Sequence, residues 1–366
     1  MSSPAVFRLP PPAYVAVIVP AKAELEPLGP VHALPLADQS LLQRLLAALA
    51  GVPVLLALPQ EQIPSDLPPG VEATPYFADT AEILRHITFA PFSHLIVLPS
   101  DLLILDVSTL FSLIDCHRQH SSDRCCTILL QDVGEQDEQG LPVKEKARKL
   151  PRTPDQIEYL LLQNDTHRVW WKQKKSVVED DPDLVGQTPK VHLPKRRLPC
   201  RLRTDWQDAH VYVLAPSVRT LLTTTQTSLR SIEHDLVPWL IAQQQQQPDS
   251  GGVYAHVVPS GQVLRITSLP SYLHAAGLCA HTDPTTQVGD KVTLQASCVG
   301  PSVQLGTKCR LNHVVLMQGV TVGDHSVLQN CVVARNVKIG EHCKLNDCQV
   351  LSNVPAQTKA KGQVWD

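Results

Sequence analysis

The C-terminal part of the chain repeats itself every seventeen residues. Residues 288–355 divide without a gap into four rows: VGDKVTLQASCVGPSVQ, LGTKCRLNHVVLMQGVT, VGDHSVLQNCVVARNVK and IGEHCKLNDCQVLSNVP. The first column is Val288, Leu305, Val322 and Ile339, and the second is Gly289, Gly306, Gly323 and Gly340. Leu294, Leu311, Leu328 and Leu345 fill the seventh, and small residues (Val292, Cys309, Ser326, Cys343) fill the fifth. Self-similarity at a fixed period marks a solenoid, in which each unit packs only on its neighbours. The local unit is a hexapeptide: an aliphatic residue, often a glycine next, and a small residue four after the aliphatic. Three short strands then make one coil, with aliphatic side chains stacked inward. The pattern predicts a left-handed parallel β-helix. The glycine column is expected to supply the backbone shape of a tight corner, and residues 253–273 are expected to lead into the coils. His313, His325 and His342 are the bases an acyl transfer on such coils would need. Assigned to different columns, they read as solvent-facing, and the coils as a packing surface for another subunit.

The rest of the chain follows a different rhythm. Apolar runs at 13–19, 52–58, 94–99, 127–131 and 211–214 read as strands. Residues 40–50, 80–87 and 110–117 carry the i, i+3, i+4 spacing of amphipathic helices. This alternation predicts a Rossmann-like α/β domain with a mostly parallel sheet and helices on both faces. Ligands in such folds bind beyond the C-terminal ends of the strands. The run Gln243–Gln247 and the following Pro-Asp-Ser-Gly-Gly read as a surface loop. The domains are therefore drawn at 1–250 (α/β) and 251–366 (β-helix).

Composition narrows the function classes. With 366 residues and 43% hydrophobic content, the chain can build two cores. A net charge of −3 sets up no global attraction to nucleic acid or membrane, and 4% aromatics make an extended base-stacking surface improbable. No apolar run reaches the roughly 18–20 residues of a membrane span. The β-branched run at 13–19 reads as a buried strand rather than a signal segment. Five of ten cysteines fall inside the repeat as small core residues, so a disulfide framework is not expected. Cys125-Cys126 lacks zinc spacing, no nucleophile-elbow pattern occurs, and a cytosolic protein is the simplest reading.

Several segments, in order, resemble landmarks of the sugar-1-phosphate nucleotidyltransferases and their relatives. They are His32-Ala33-Leu34-Pro35-Leu36, Thr80-Ala81-Glu82-Ile83-Leu84-Arg85, Val97-Leu98-Pro99-Ser100-Asp101, Asp208-Ala209-His210-Val211-Tyr212, and Ser231 through Leu240. The resemblance implies an α/β domain followed by a left-handed β-helix, with Asp101 at the place of a metal-binding aspartate. It also exposes a defect. Active members hold triphosphate in a Gly-rich loop with an Arg and a downstream Lys, where backbone N–H groups and cations meet phosphate. Here Pro20-Ala21-Lys22-Ala23-Glu24 stands in that place, without a glycine. Pro20 removes a donor. Glu24 and Glu26 add negative charge. Val31 replaces the lysine, and Asp79 replaces the glycine before Thr80. A single carboxylate makes a poor Mg²⁺ site. The resemblance therefore implies a vestigial pocket of Lys22, Thr80, Asp101 and Asp208, with no catalysis, cofactor or metal.

Within the group, the closer resemblance is to the gamma-subunit family of the exchange factor for translation initiation factor 2. It rests on Asp208-Ala209-His210-x-Tyr212, where pyrophosphorylases keep glycine after the alanine, on Arg201 through Asp205, and on 228–240. By that resemblance 177–199 is an extended arm. The implied partners are a catalytic epsilon-like subunit, further exchange-factor subunits and translation initiation factor 2. Exchange is then the work of the epsilon-type subunit, whose C-terminal helical domain has no counterpart before Asp366. No membrane or direct nucleic-acid contact is expected. The basic clusters at 144–149, 172–175 and 195–203 read as solvated loops in preference to docking sites for an acidic or RNA-bearing partner. Trp170-Trp171 is a candidate interface anchor or a half-buried strand pair.

Overall fold

The computed structural model describes residues 14–21, 24–25, 28–36, 38–74, 79–86, 94–119, 124–133, 156–180, 199–224, 229–247 and 251–365. Contacts divide the chain into two units, each discontinuous in sequence. Met1–Pro20, Ala48–Pro99 and Ile104–Val263 form the first; Ala21–Ala47, Ser100–Leu103 and Leu264–Asp366 form the second. Among the described residues no helix is long and apolar enough to cross a membrane.

The strand Tyr14–Val19 is buried at every position after Tyr14. Aliphatic side chains on both faces need cover on both faces, which places such a strand inside a sheet. It pairs in parallel with Val54–Leu56 and His94–Pro99, and Val71–Ala73 extends the parallel edge. Trp206–Leu214 runs antiparallel between His94–Pro99 and Arg124–Asp132. Gly252–Val258 completes the seven-stranded sheet, parallel to Arg124–Asp132. The sheet is mixed, since the strand carrying Asp208 is inserted against the direction of its neighbours. The helices Thr80–His86 and Ser108–Gln119 fall within two residues of their expected bounds.

A second, three-stranded antiparallel sheet has the order Val169–Lys174, Glu158–Gln163, Cys200–Arg203. Trp170 is 1% exposed and anchors it, while Trp171 is half-buried and stacks on Tyr159.

Two expectations are corrected. Only the later part of 253–273 leads into the coils: Gly252–Val258 belongs to the α/β sheet of the first unit, whereas the helix Leu269–Leu278 belongs to the second. The glutamine run is not a loop. It ends the helix Val237–Gln246, and Gln244 is 1% exposed. The Gln244 amide donates to the Val169 carbonyl, and its Oε1 accepts from Val253 N at 2.9 Å and Arg168 Nε at 3.2 Å. Averaged composition hides such a residue, because one fully bonded glutamine among exposed ones looks like low complexity.

The second unit contains the left-handed parallel β-helix. Its ladders are spaced by the repeat itself: Gln287 pairs Gln304, Gln304 pairs Thr321, and Thr321 pairs Lys338. The seventeen-residue step already joins His281 to Cys298, upstream of the rows. The last step is shorter, Lys344 to Lys359. Leu311, Leu328, Leu345, Val320 and Val337 form the interior with Cys309, Cys331, Cys343 and Cys348. The cysteines behave as small core residues, as expected. Cys309 and Cys343 also donate to the carbonyls of Gly323 and Pro355, and Ser326 in the same column donates to Gly340. The helix Leu269–Leu278, capped by Ser268 and Ser271, packs Tyr272 against Leu36, Leu41, Val315 and Val332. The Tyr272 hydroxyl donates to Pro35 O at 2.6 Å.

The glycine column has a different cause from the one expected. None of Gly289, Gly306, Gly323 and Gly340 has positive φ. The left-handed corner residues are two further on: Lys291, Lys308, His325 and His342, with φ of 57°, 56°, 56° and 57°. The glycines are there because the next coil stacks directly on them. A Cβ at Gly340 would lie 2.4 Å from Ala356 N, and one at Gly323 2.6 Å from Glu341 N. Neither neighbour is a side-chain end that can swing aside. Gly340→Ala is expected to destabilise the protein by about 3 kcal/mol, the upper part of the usual range for overpacking. The check is a lowered urea midpoint, with the exposed Lys338→Ala unchanged as control.

Candidate functional site

The strand Trp206–Leu214 carries Asp208 and Tyr212 on its buried side. Opposite it, the pairing passes from Ile128–Tyr212 to Leu130–Asp208, so Ala209, His210 and Val211 face Leu129 alone. This bulge turns His210 into the left-handed region, φ 56°. The resemblance places a glycine there in pyrophosphorylases. Histidine tolerates the conformation better than most residues, and here it is held. His210 N donates to Asp208 Oδ1 at 2.6 Å, and its Nδ1 lies 3.0 Å from Glu233 Oε2.

Asp208 is closed off by its own chain. Lys172 Nζ lies 3.1 Å from Asp208 Oδ2 and 2.6 Å from Glu158 Oε1. Tyr212 donates its hydroxyl to Asp208 Oδ2 at 3.0 Å, and Asp208 N donates to Glu158 Oε2 at 3.3 Å. Exposure of Glu158, Lys172 and Asp208 is 4%, 9% and 2%. Lys174 pairs with Glu233 at 2.8 Å on the outer side. The expectation of a solvated KQKK cluster fails at Lys172 and Lys174. Strand periodicity turns Lys172 to the same side as buried Trp170, and a buried ammonium is stable only beside carboxylates.

Thr80 opens its helix and is occupied too. Its Oγ1 accepts from Ile232 N at 3.1 Å, and Ala81 N donates to Arg230 O at 2.8 Å. The segment that follows is a π turn, Ile232–Leu236, entered through Asp235, which accepts from Arg230 N and Ser231 N. The N–H that a phosphate would use at this helix start is already bonded to protein.

In the second unit, Asp101 is fully buried. Arg265 grips it with two parallel bonds, Nε to Oδ1 at 2.5 Å and Nη2 to Oδ2 at 2.7 Å. Ile266 N donates to the Asp101 carbonyl at 2.9 Å, which fixes the strand bearing Arg265. Ser100 beside it accepts from Ala21 N at 3.0 Å. A carboxylate engaged by a fork-shaped guanidinium presents a positive charge, not free lone pairs, to an approaching cation. The residues at Asp101 and Asp208 do not fit a divalent metal. Sequence reasoning missed Arg265, Lys172, Glu158 and Glu233. Arg265 and Asp101 are 164 positions apart, and no local pattern links them. Lys22 lies outside the described residues.

The charges leave a signature in pH. Burial by itself would lower the Lys172 ammonium; Glu158 and Asp208 overcome it and leave it raised. Burial would raise the Glu233 carboxyl, but His210 and Lys174 hold it well below the usual carboxylate range. Burial also pushes the Tyr212 hydroxyl up, with Asp208 adding to it. The Glu233 contribution is present above the ordinary carboxylate value and is lost as pH falls toward the native one. The Lys172 contribution is present below about pH 10.4 and is lost above it. Urea midpoints are therefore expected to fall below about pH 4.3 in the wild type. Glu233→Gln is expected to flatten that acid limb.

His325 and His342 are not in different columns: both are fourth in their rows, and their rings stack at 4.9 Å and 5°. His313 stands apart, hydrogen-bonded to Asn312 Oδ1 at 2.5 Å. Residues 144–149 and 195–198 of the basic clusters, like Cys125's side chain, lie outside what the structure describes. Among the described residues no three His, Cys, Asp or Glu side chains converge as metal ligands.

Residues 279–360 match the family model described as the GMPPB C-terminal domain. The match covers the coils and makes that segment similar to the C-terminal domain of this nucleotidyltransferase family. No curated protein matches the chain.

Proposed function

We propose that this chain is a non-catalytic, nucleotidyltransferase-like subunit that acts within a cytosolic hetero-oligomer. The observation that carries the reading is the bidentate Arg265–Asp101 pair, in which the carboxylate that the resemblance assigns to a metal is neutralised internally. Lys172 on Asp208 supports it in the same way. The finer reading is a gamma-type subunit of the exchange factor for translation initiation factor 2, holding an epsilon-type catalytic partner and contributing a docking face. It rests on the Asp-Ala-His-x-Tyr stretch, in which His210 takes the left-handed place of a glycine and ties itself to Glu233. A second reading, a regulatory partner of a GDP-mannose pyrophosphorylase, is favoured by the match of the coils.

Two measurements test these statements. Purified protein incubated with Mg²⁺, a sugar 1-phosphate and GTP or ATP is expected to release no pyrophosphate; release would overturn the non-catalytic reading. Tagged protein from its native cell is expected to bring down an epsilon-type subunit and translation initiation factor 2. Recovery of a pyrophosphorylase instead would decide for the second reading.

A further inference from the structure

The sequence places its basic clusters in the first unit, but the structure assembles another cationic surface on the β-helix. One sheet face of the coils presents the ladder Thr293, Arg310, Val327, Lys344, Lys359. Beside it runs Gln295, Asn312, Gln329, Asn346, Lys361. The corner column Lys291, Lys308, His325, His342 borders this face, held outward by left-handed backbone. Four of these five coils contribute an exposed Lys or Arg, from Lys291 on the first to Lys359 and Lys361 on the last, and the third presents Val327 and His325 in their place. Among the described residues none of these six Lys and Arg side chains has an ion-pair partner. The acids at the borders are partly engaged: Asp324 accepts from Thr307 N, and Asp347 from Asn330 Nδ2, while Asp290 and Glu341 stand at the corner before the basic column. In a chain of net charge −3, four free cations on one flat face, with Lys291 and Lys308 on the corner column beside it, are a local inversion of sign.

We infer that this face docks an acidic α-helix of a partner protein, laid along the β-helix axis with a stripe of Glu or Asp toward the coils. Charge complementarity sets the sign, and spacing sets the shape. Adjacent coils are about 4.8 Å apart, as neighbouring strands are. One helical turn advances about 5.4 Å, so carboxylates at i, i+4, i+7 and i+11 meet successive coils with little drift over the face. The amide column gives neutral donors and acceptors along one edge of the helix. A single-stranded nucleic acid fits less well, because the two ladders hold no aromatic side chain on which bases could stack.

The test uses the full chain and labelled peptides of about 20 residues, read by fluorescence anisotropy. One peptide carries glutamates in a single helical stripe; a second has the same composition with the glutamates scattered; a uridine oligonucleotide is the third probe. The striped peptide is expected to bind about tenfold tighter than the scattered one, with affinity falling as salt rises. The double variant Arg310→Glu, Lys344→Glu is expected to weaken it at least tenfold with an unchanged thermal midpoint. Should that variant fold poorly, Lys359→Glu with Lys361→Glu replaces it. Equal binding of the two peptides, binding indifferent to charge reversal in a folded variant, or tighter binding of the oligonucleotide would each overturn the inference.

Discussion

Lys172→Met is expected to cost about 3–5 kcal/mol of stability, because it strands two buried carboxylates. Glu158 and Asp208 each touch the Lys172 ammonium and are 4% and 2% exposed. Methionine fills most of the volume, so the loss is electrostatic and not a cavity. Two further results follow. The triple variant Lys172→Met, Glu158→Gln, Asp208→Asn should recover much of the loss, since a neutral buried cluster has no uncompensated charge. The single variant should also gain stability on acidification from pH 7 to 5, a range in which the wild type keeps its Glu233 contribution. Acid relieves the uncompensated negative charge that the folded variant keeps buried and the unfolded chain exposes to water. Urea unfolding at the two pH values reads both effects. An unchanged midpoint for Lys172→Met would show that the cluster is not an ion-pair lock.

Arg265→Met is expected to produce a loss of similar size in the other unit, about 3–5 kcal/mol, by leaving Asp101 buried without a cation. Asp101 is wholly buried, and both its oxygens are bonded to Arg265. Arg265→Lys should restore only part of the stability, because an ammonium cannot reproduce the two parallel bonds of the guanidinium. Asp101→Asn with Arg265→Met should be milder than Arg265→Met alone. The checks are urea midpoints and resistance to proteolysis. If Arg265→Met and Arg265→Lys behaved alike, the bidentate geometry would carry no weight.

The contrast between the two units shows which features can be read locally. Tyr14–Val19, Thr80–His86 and the coil columns were legible because burial forces a period on the chain: continuous for an inner strand, 3.6 for a helix, seventeen for these coils. Gly323 and Gly340 are visible in sequence as a column, but a column does not reveal its cause, which is contact with the next coil and not corner conformation. His325 and His342 stand fourth in successive rows, and that shared column is what stacks their rings. Gln244 was lost in its low-complexity run. The small sheet carrying Glu158, Lys172 and Arg203 was not singled out, because its strands are short and interrupted by a long insertion.

By itself the sequence determined the architecture, an α/β unit and a seventeen-residue β-helix, and showed that the segment after the first strand, where the resemblance places a phosphate loop, has no glycine. These are properties of neighbouring residues or of a fixed repeat, where side-chain periodicity and missing N–H groups act over a few positions. Only the tertiary structure decided the fate of the carboxylates. Asp101 meets Arg265 across 164 positions, and Asp208 meets Lys172 between two different sheets. Charge neutralisation in a buried site depends on distances of about 3 Å in space, and a linear chain does not encode which distant cation will arrive there.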